Sequence, residues 1–490
     1  MMRSLFSGVS GLKVHQTKMD VIGNNIANVN TVGFKSSNVN FSDIFYQTTQ
    51  AATGPNAATG AAGQNAMQIG LGSNLASITT SITTTGGAQR TDNPFDVMIS
   101  GDSFFIVNSG GTNYFTKSGA FNVDAAGTLC TSTGATVMGW QVDSNGNILK
   151  SQVSALKVMS AENLYANPEL TTKATITGNI DSMDSQLTDG KGVPVQVSFY
   201  DNLGNSYTAK IAIKAASSAD AKAGNYTVTL TDIVNAKDES IFYAVGADGK
   251  KTAVAGTSVT FGGLTYTYDA TTDSLKTTGT AENALKFNPS NGTFSYVGKA
   301  PAQGAKGATA MNLKITTTNN EFLPTGVAAN AYNGIAIGMS SLTQFATSGT
   351  SSVTSTKGDK NNNNEGAGLP VGNMTGVKID TAGKIYGTYD NGTEKLLGQI
   401  AVTSFANPSG LESVGNSMFA QTQNSGEFDG IGEDITTGGG KLSTGVLEMS
   451  NVDLSSEFTQ MITTQRGFQA NSRIITTSDT LLEELINLKR

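Results

Sequence analysis

Cys130 and His15 are the only cysteine and the only histidine of the chain, so thiol or imidazole chemistry would have to be built on single residues. A lone cysteine closes no internal disulfide framework, and one histidine is too few for a histidine-based metal site or a Ser/His/Asp triad. Cys130 lies in the turn-rich strand context "GTLCTSTG" and reads as a small buried side chain. His15 reads as a partly exposed helical residue between Lys13 and Lys18. The D-x-x-G stretches at residues 124–127, 143–146, 201–204 and 380–383 are the other candidates for a ligand site. A calcium loop needs several carboxylates and a terminal Glu, whereas each of these offers one Asp, which points to hairpin turns. Hydrolysis of a glycoside needs two facing carboxylates, and no such pair can be named among acids scattered over turns. The residues therefore predict no enzyme, no metal and no cofactor.

Composition narrows the partners in the same direction. The net charge of −7 comes with no block of Lys or Arg, so the electrostatic footprint of nucleic-acid binding is missing. No apolar run reaches the ~18 residues that a membrane span requires, and the first thirty residues lack the uninterrupted apolar core of a cleaved signal peptide. Abundant Gly, Thr, Ser and Asn with few charges make most of the 490 residues β-structure in several domains.

The two ends differ from the rest. Leu5, Leu12, Met19 and Ile26 fall seven apart with Val9, Ile22 and Val29 beside them, which predicts an amphipathic helix. Asn24, Asn25, Asn28 and Gly33 then end it, because Asn bonds its own backbone and Gly reaches left-handed φ. At the other end "SNVD" (450–453) reads as a capping box ahead of Leu454, Met461, Phe468, Ile475 and Leu482, again seven apart, with Lys489 and Arg490 favourable at the helix C-terminus. The two helices could pair within one chain, but a single stripe against a single partner buries little. Cover from neighbouring copies is the stronger expectation, and it makes these nine apolar residues subunit contacts in a polymer.

Between the helices the pattern alternates with period two, as in "FDVMISGDSFFIVNSGGTNYFTKSGAFNVD". Residues 48–66 and 356–368 read as mobile or extended linkers. The expected division has terminal helical segments at 1–35 and 445–490, an extended low-complexity linker at 36–90, an inner β-domain at 91–145 and 341–444, and an inserted outer β-domain at 146–340. The fold class expected is mainly β with long terminal helices. A coiled-coil-like terminal domain carries stacked antiparallel β-domains, the outer inserted in the inner one.

Three stretches in order, "SGLKVHQTKMDVIGNNIANVNTVGFKSS", "ISGDSFFIV…YFTKSGAFNVDAAGTLCTSTGATVMGWQVD" and "GVLEMSNVDLSSEFTQMITTQRGFQANSRIITTSDTLLEELINL", resemble the signatures of the bacterial flagellar rod and hook proteins. Residues 396–427 also resemble the returning half of the hook-type inner domain. The roughly 195 residues between Asp143 and Ser341 leave room for a full extra domain, which favours the hook type over the distal rod type. The resemblance implies a structural subunit that polymerises into a curved, flexible tube and passes motor torque to the filament as a universal joint. It also implies export through the flagellar apparatus and an extracellular hook location. The partners it implies are copies of itself, the distal rod protein, the hook cap and the hook–filament junction protein. The alternatives are a distal rod subunit and, further off, an exported β-rich adhesin.

Overall fold

The computed structural model describes residues 2–55, 60, 62–143, 146–246, 248–316, 334–360 and 362–488. Parts of both expected linkers, and Lys489 and Arg490 with their expected effect on the helix dipole, lie outside the described residues. The chain is mainly β, with the helix Met2–Ala27 at one end and Leu454–Asn487 at the other. The second helix starts three residues later than the capping-box reading placed it. Asp453, not Ser450, is the cap: its Oδ1 accepts from the Ser455 and Ser456 N–H groups at 2.9 and 3.4 Å. A carboxylate there both satisfies orphan donors and meets the positive end of the helix dipole.

Two compact units divide the chain, Met1–Leu164 with Thr375–Thr388 and Glu394–Arg490 in one, and Tyr165–Met374 with Tyr389–Thr393 in the other. In the first unit the strand Phe104–Ser109 runs through the middle of the largest sheet. Phe104, Phe105, Ile106 and Val107 are all fully buried, so here the alternation expected from sequence gives way to a strand covered on both faces. Phe104, Ile106 and Phe115 pack on one side with Trp140, Ala401 and Phe419. Residues 148–164 stay with this unit, since Ser154–Ala155 pairs with Gly139 and Met138, and Val153 enters the same core.

The second unit is a sandwich of a five-stranded and a seven-stranded sheet. Val195, Phe199, Ile211 and Val228 from one face Ile176, Val259, Leu313 and Ile337 from the other in a single core. Its limits differ from the 146–340 expected. Ser352–Lys357, whose last two residues fall in the linker expected at 356–368, pairs antiparallel with Lys173–Asn179 and is thereby held in the seven-stranded sheet. One pair in that sheet, Lys173–Asn179 with Ile335–Thr343, is parallel, an exception to the antiparallel arrangement.

Residues 36–90, expected as an extended linker, contain two strand pairs. Ser37–Asp43 pairs with Ser73–Thr80, and Tyr46–Gln50 with Met67–Gly70. The polar, glycine-rich composition that suggests a linker is equally that of a two-stranded ribbon with little core of its own.

In these D-x-x-G stretches the glycine N–H donates to the Asp carbonyl, and Gly127, Gly146, Gly204 and Gly383 have positive φ, between 78° and 84°. Asp124 Oδ1 accepts from the N–H groups of Ala126 and Thr128, Asp201 Oδ1 from Leu203 and Asn205, and Asp380 Oδ1 from Ala382 and Lys384, at 2.7 to 3.0 Å. Asp143 Oδ1 accepts from Asn147 at 2.8 Å. The carboxylates are thus engaged by the backbone they turn. Cys130 is half-buried, not buried as expected, opposite Asn122 and Thr136 in a small edge ladder.

Candidate functional site: the terminal helix pair and its anchor

Ser4, Gly8, Gly11, His15 and Asn25 of the N-terminal helix meet Ser478, Ile475, Asn471, Gly467 and Glu457 of the C-terminal one, which fixes an antiparallel pair in one register. The expectation that these helices find cover only on other copies is corrected to this extent: they cover one another within the chain. The physical reason is that small and polar residues form much of the seam, with Ile475 against Gly8 and Ile22 buried on the N-terminal helix. A Cβ on Gly11 would stand 2.6 Å from Asn471 Nδ2, and one on Gly467 2.8 Å from the His15 ring, so the axes approach where any side chain would hold them apart. In the C-terminal helix the buried residues are Glu457, Thr464 and Ser478, seven or fourteen apart and three residues out of step with the apolar set.

That apolar set consequently remains at the edges of the seam. Leu5, Leu12, Met19, Ile26, Met461, Ile475 and Leu482 are half-buried, and Leu454 and Phe468 are exposed. Further round the two helices Phe6, Val9, Phe458, Ile462, Leu481 and Leu485 are at least half exposed, from 50 % for Phe458 to 66 % for Phe6. Exposed apolar side chains are thus spread along the helix pair, where another molecule can cover them.

The helix-to-β transition is organised by Asn25. Asn24 and Asn25 still belong to the helix, which ends at Ala27. Asn25 is buried; its Oδ1 accepts from Ser37 N at 3.0 Å, and its Nδ2 donates to Ser37 O at 2.8 Å and to Glu457 Oε1 at 3.1 Å. One amide thereby joins the first helix, the start of the strand Ser37–Asp43 and the last helix. Asn28 caps the end, its Nδ2 donating to the Asn24 carbonyl at 2.9 Å. Gly33 has φ 69°, donates to Glu448 O at 2.8 Å, and leaves no room for a Cβ, which would lie 2.7 Å from Ser118 N.

Sequence reasoning missed the anchor just beyond. Lys35 Nζ donates to Glu448 Oε1 at 2.7 Å and to Thr84 O at 2.7 Å, with both charged side chains almost fully buried. Gly86 N also donates to Glu448 Oε1, at 3.0 Å. Asn451 adds donors to Ser81 O and Thr84 O and accepts from Ser36 N. The two ends of the chain and residues 81–86 are thus tied where the helices leave the β-body. The available signal was a Lys just after the Asn/Gly break and a Glu just before the last helix, but nothing local pairs them.

Lys117 lies in the same region, buried, donating to Gly101 O at 2.7 Å over the Phe104 ring. Burial lowers its pKa to about 8, with Lys35 pushing the same way and Glu448 and Asp102 opposing. Since the unfolded lysine titrates near 10.5, the unfolded chain binds more protons between those values, and stability rises with pH across that window. We expect unfolding followed by Trp140 fluorescence to show a gain on the order of 3 kcal/mol from pH 8 to pH 10.5 in the native chain, absent in Lys117→Met. Equal pH dependence in both chains would contradict this origin.

His15 touches three elements: its own helix, Gly467, and the Phe41 ring edge-on at 5.9 Å. Burial and then Lys18 lower its pKa. Among the described residues no group of three or more His, Cys, Asp or Glu is placed to hold a metal, and no helix is long and apolar enough to cross a membrane.

Comparison with known proteins places this geometry. Residues 5–35 match the family model "Flagella basal body rod protein", 98–177 the "Flagellar hook protein FlgE/F/G D1 domain", and 443–488 the "Flagellar basal body rod FlgEFG protein C-terminal". The first and last of these segments are the two halves of the helix pair with their anchor residues Lys35 and Glu448. The chain is 36 % identical to the flagellar hook protein FlgE of Borreliella burgdorferi and 35 % identical to that of Treponema pallidum, each over 100 % of both chains. It is 27 % identical to the flagellar basal-body rod protein FlgG of Bacillus subtilis, also over 100 % of both. Full-length identity above 30 % lies with the hook type, and the chain belongs to the flagellar hook protein family, the structural subunits of the bacterial flagellar hook.

Proposed function

We propose that this chain polymerises with copies of itself into the curved tube of the hook, outside the cell, where it carries motor torque to the filament as a universal joint. The terminal helix pairs form the inner layer of the tube, with β-structure outside it. The observation that carries this reading is the helix pair itself. Small and polar residues make up much of its seam, and apart from the buried Val14 and Ile22 most of its apolar side chains are half-buried or exposed, where a neighbouring copy can cover them. Leu5, Leu12, Met19, Ile26, Leu454, Met461, Phe468, Ile475 and Leu482 are the contacts assigned to this packing, with Phe458 and Ile462 extending them. Asn24, Asn25, Asn28 and Gly33 turn the chain out of that layer towards the β-body.

Export through the flagellar apparatus, and end contacts with the distal rod protein, the hook cap and the hook–filament junction protein, complete the proposal. Electron microscopy of the purified chain after salting-out tests it. Curved tubes are the expected result. Straight rods would assign the stiffer rod role, and persistent monomers at high concentration would remove the assembly reading altogether.

A further inference from the structure

The face of the C-terminal helix turned away from its partner carries an ordered row of charges. Arg466, Arg473 and Glu484 stand seven and eighteen residues apart, spacings that return to the same side of an α-helix within about 20°. Glu457, in the seam, is nine residues from Arg466, half a turn round the helix, so the row lies opposite the seam. All three are exposed, and among the described residues none of them has an ion pair. Within one helix the two signs cannot meet, because Glu484 is about 16 Å along the axis from Arg473 and about 27 Å from Arg466.

We propose that this row is a stagger-setting contact between copies: Glu484 of one subunit pairs with the arginine ridge, Arg473 or Arg466, of the next. Subunits of a helical polymer are parallel and meet through different patches of their surfaces, so a row with cations at one level and an anion at another is complementary to itself only when shifted. The shift that pairs them is about 16 or 27 Å, and the unshifted arrangement sets like charges side by side. The apolar surface around the row, Ile462 and Leu481 included, gives adhesion without choosing a level. Charge supplies the register, as it does between coiled-coil helices.

This inference rests on the polymer reading above and is tested separately from it. Full-length chains carrying Glu484→Arg, Arg473→Glu and Arg466→Glu are polymerised beside the native chain, with the critical concentration and tube order read by sedimentation and electron microscopy. Glu484→Arg is expected to raise the critical concentration about tenfold or to yield disordered aggregates. One of the double reversals, Glu484→Arg with Arg473→Glu or with Arg466→Glu, is expected to restore ordered tubes, and the rescuing partner identifies the stagger. Near-native tubes from Glu484→Arg alone, or no rescue by either double reversal, would overturn the proposal. Should the native chain form no tubes, the assembly reading fails instead. Helicity of the monomers, measured by circular dichroism, separates loss of contact from loss of the helix.

Discussion

Glu448→Ala should unfold the helix-bearing unit at far lower denaturant than the native chain, by about 3–5 kcal/mol, because it leaves the Lys35 ammonium buried with only the Thr84 carbonyl as partner. Gly86 N loses its acceptor in the same step, adding an unsatisfied donor. Removing both charges is expected to be much milder: Lys35→Met with Glu448→Leu exchanges two desolvated ions for apolar groups of similar size, which is often neutral. The single tryptophan, Trp140, lies in the core of this unit and reports its unfolding without interference from the other. A double-mutant cycle read from its fluorescence therefore isolates the pair. If Glu448→Ala costs less than about 1 kcal/mol, the anchor is not what ties the two chain ends together.

The second large effect falls on assembly and spares the monomer. Phe458 and Ile462 are 50 % and 58 % exposed on the C-terminal helix, so replacing both by Asp should leave circular dichroism and Trp140 fluorescence unchanged. In a tube the same positions would be covered, and each substitution forfeits roughly 1 kcal/mol or more of burial and forces a carboxylate out of water. The critical concentration for polymerisation should rise at least a hundredfold, or tubes should not form. Leu12→Asp and Met461→Asp act on the half-buried edge of the seam and are expected to weaken both the helix pair and the polymer. Tubes formed normally by the Phe458/Ile462 double variant would remove the apolar surface as the site of assembly.

How much of this was legible follows from the range of the interactions. The D-x-x-G turns were legible because carboxylate, donors and glycine lie within five residues of each other. The two helices were legible from period, and the flagellar signatures fall on their residues. The cap at Asp453 was misplaced by three residues because "SNVD" offers acceptors at both ends, Ser450 and Asp453, and only the chain direction at the helix start decides which one faces the free N–H groups. The outer unit's limits were misread because the strand 352–357 carries a polar, threonine-rich sequence whose partner is 173 to 183 residues earlier.

The sequence by itself determined that both ends are amphipathic helices around a β-rich body, since period and composition are local properties. Only the tertiary structure decided that Gly8, Gly11 and Gly467 let the helices approach closely, that Asn25 meets Glu457 across them, and that Lys35 and Glu448, 413 residues apart, close the base of the pair. Close approach and buried charge pairing depend on where distant backbone segments come together, and no spacing within one segment encodes that.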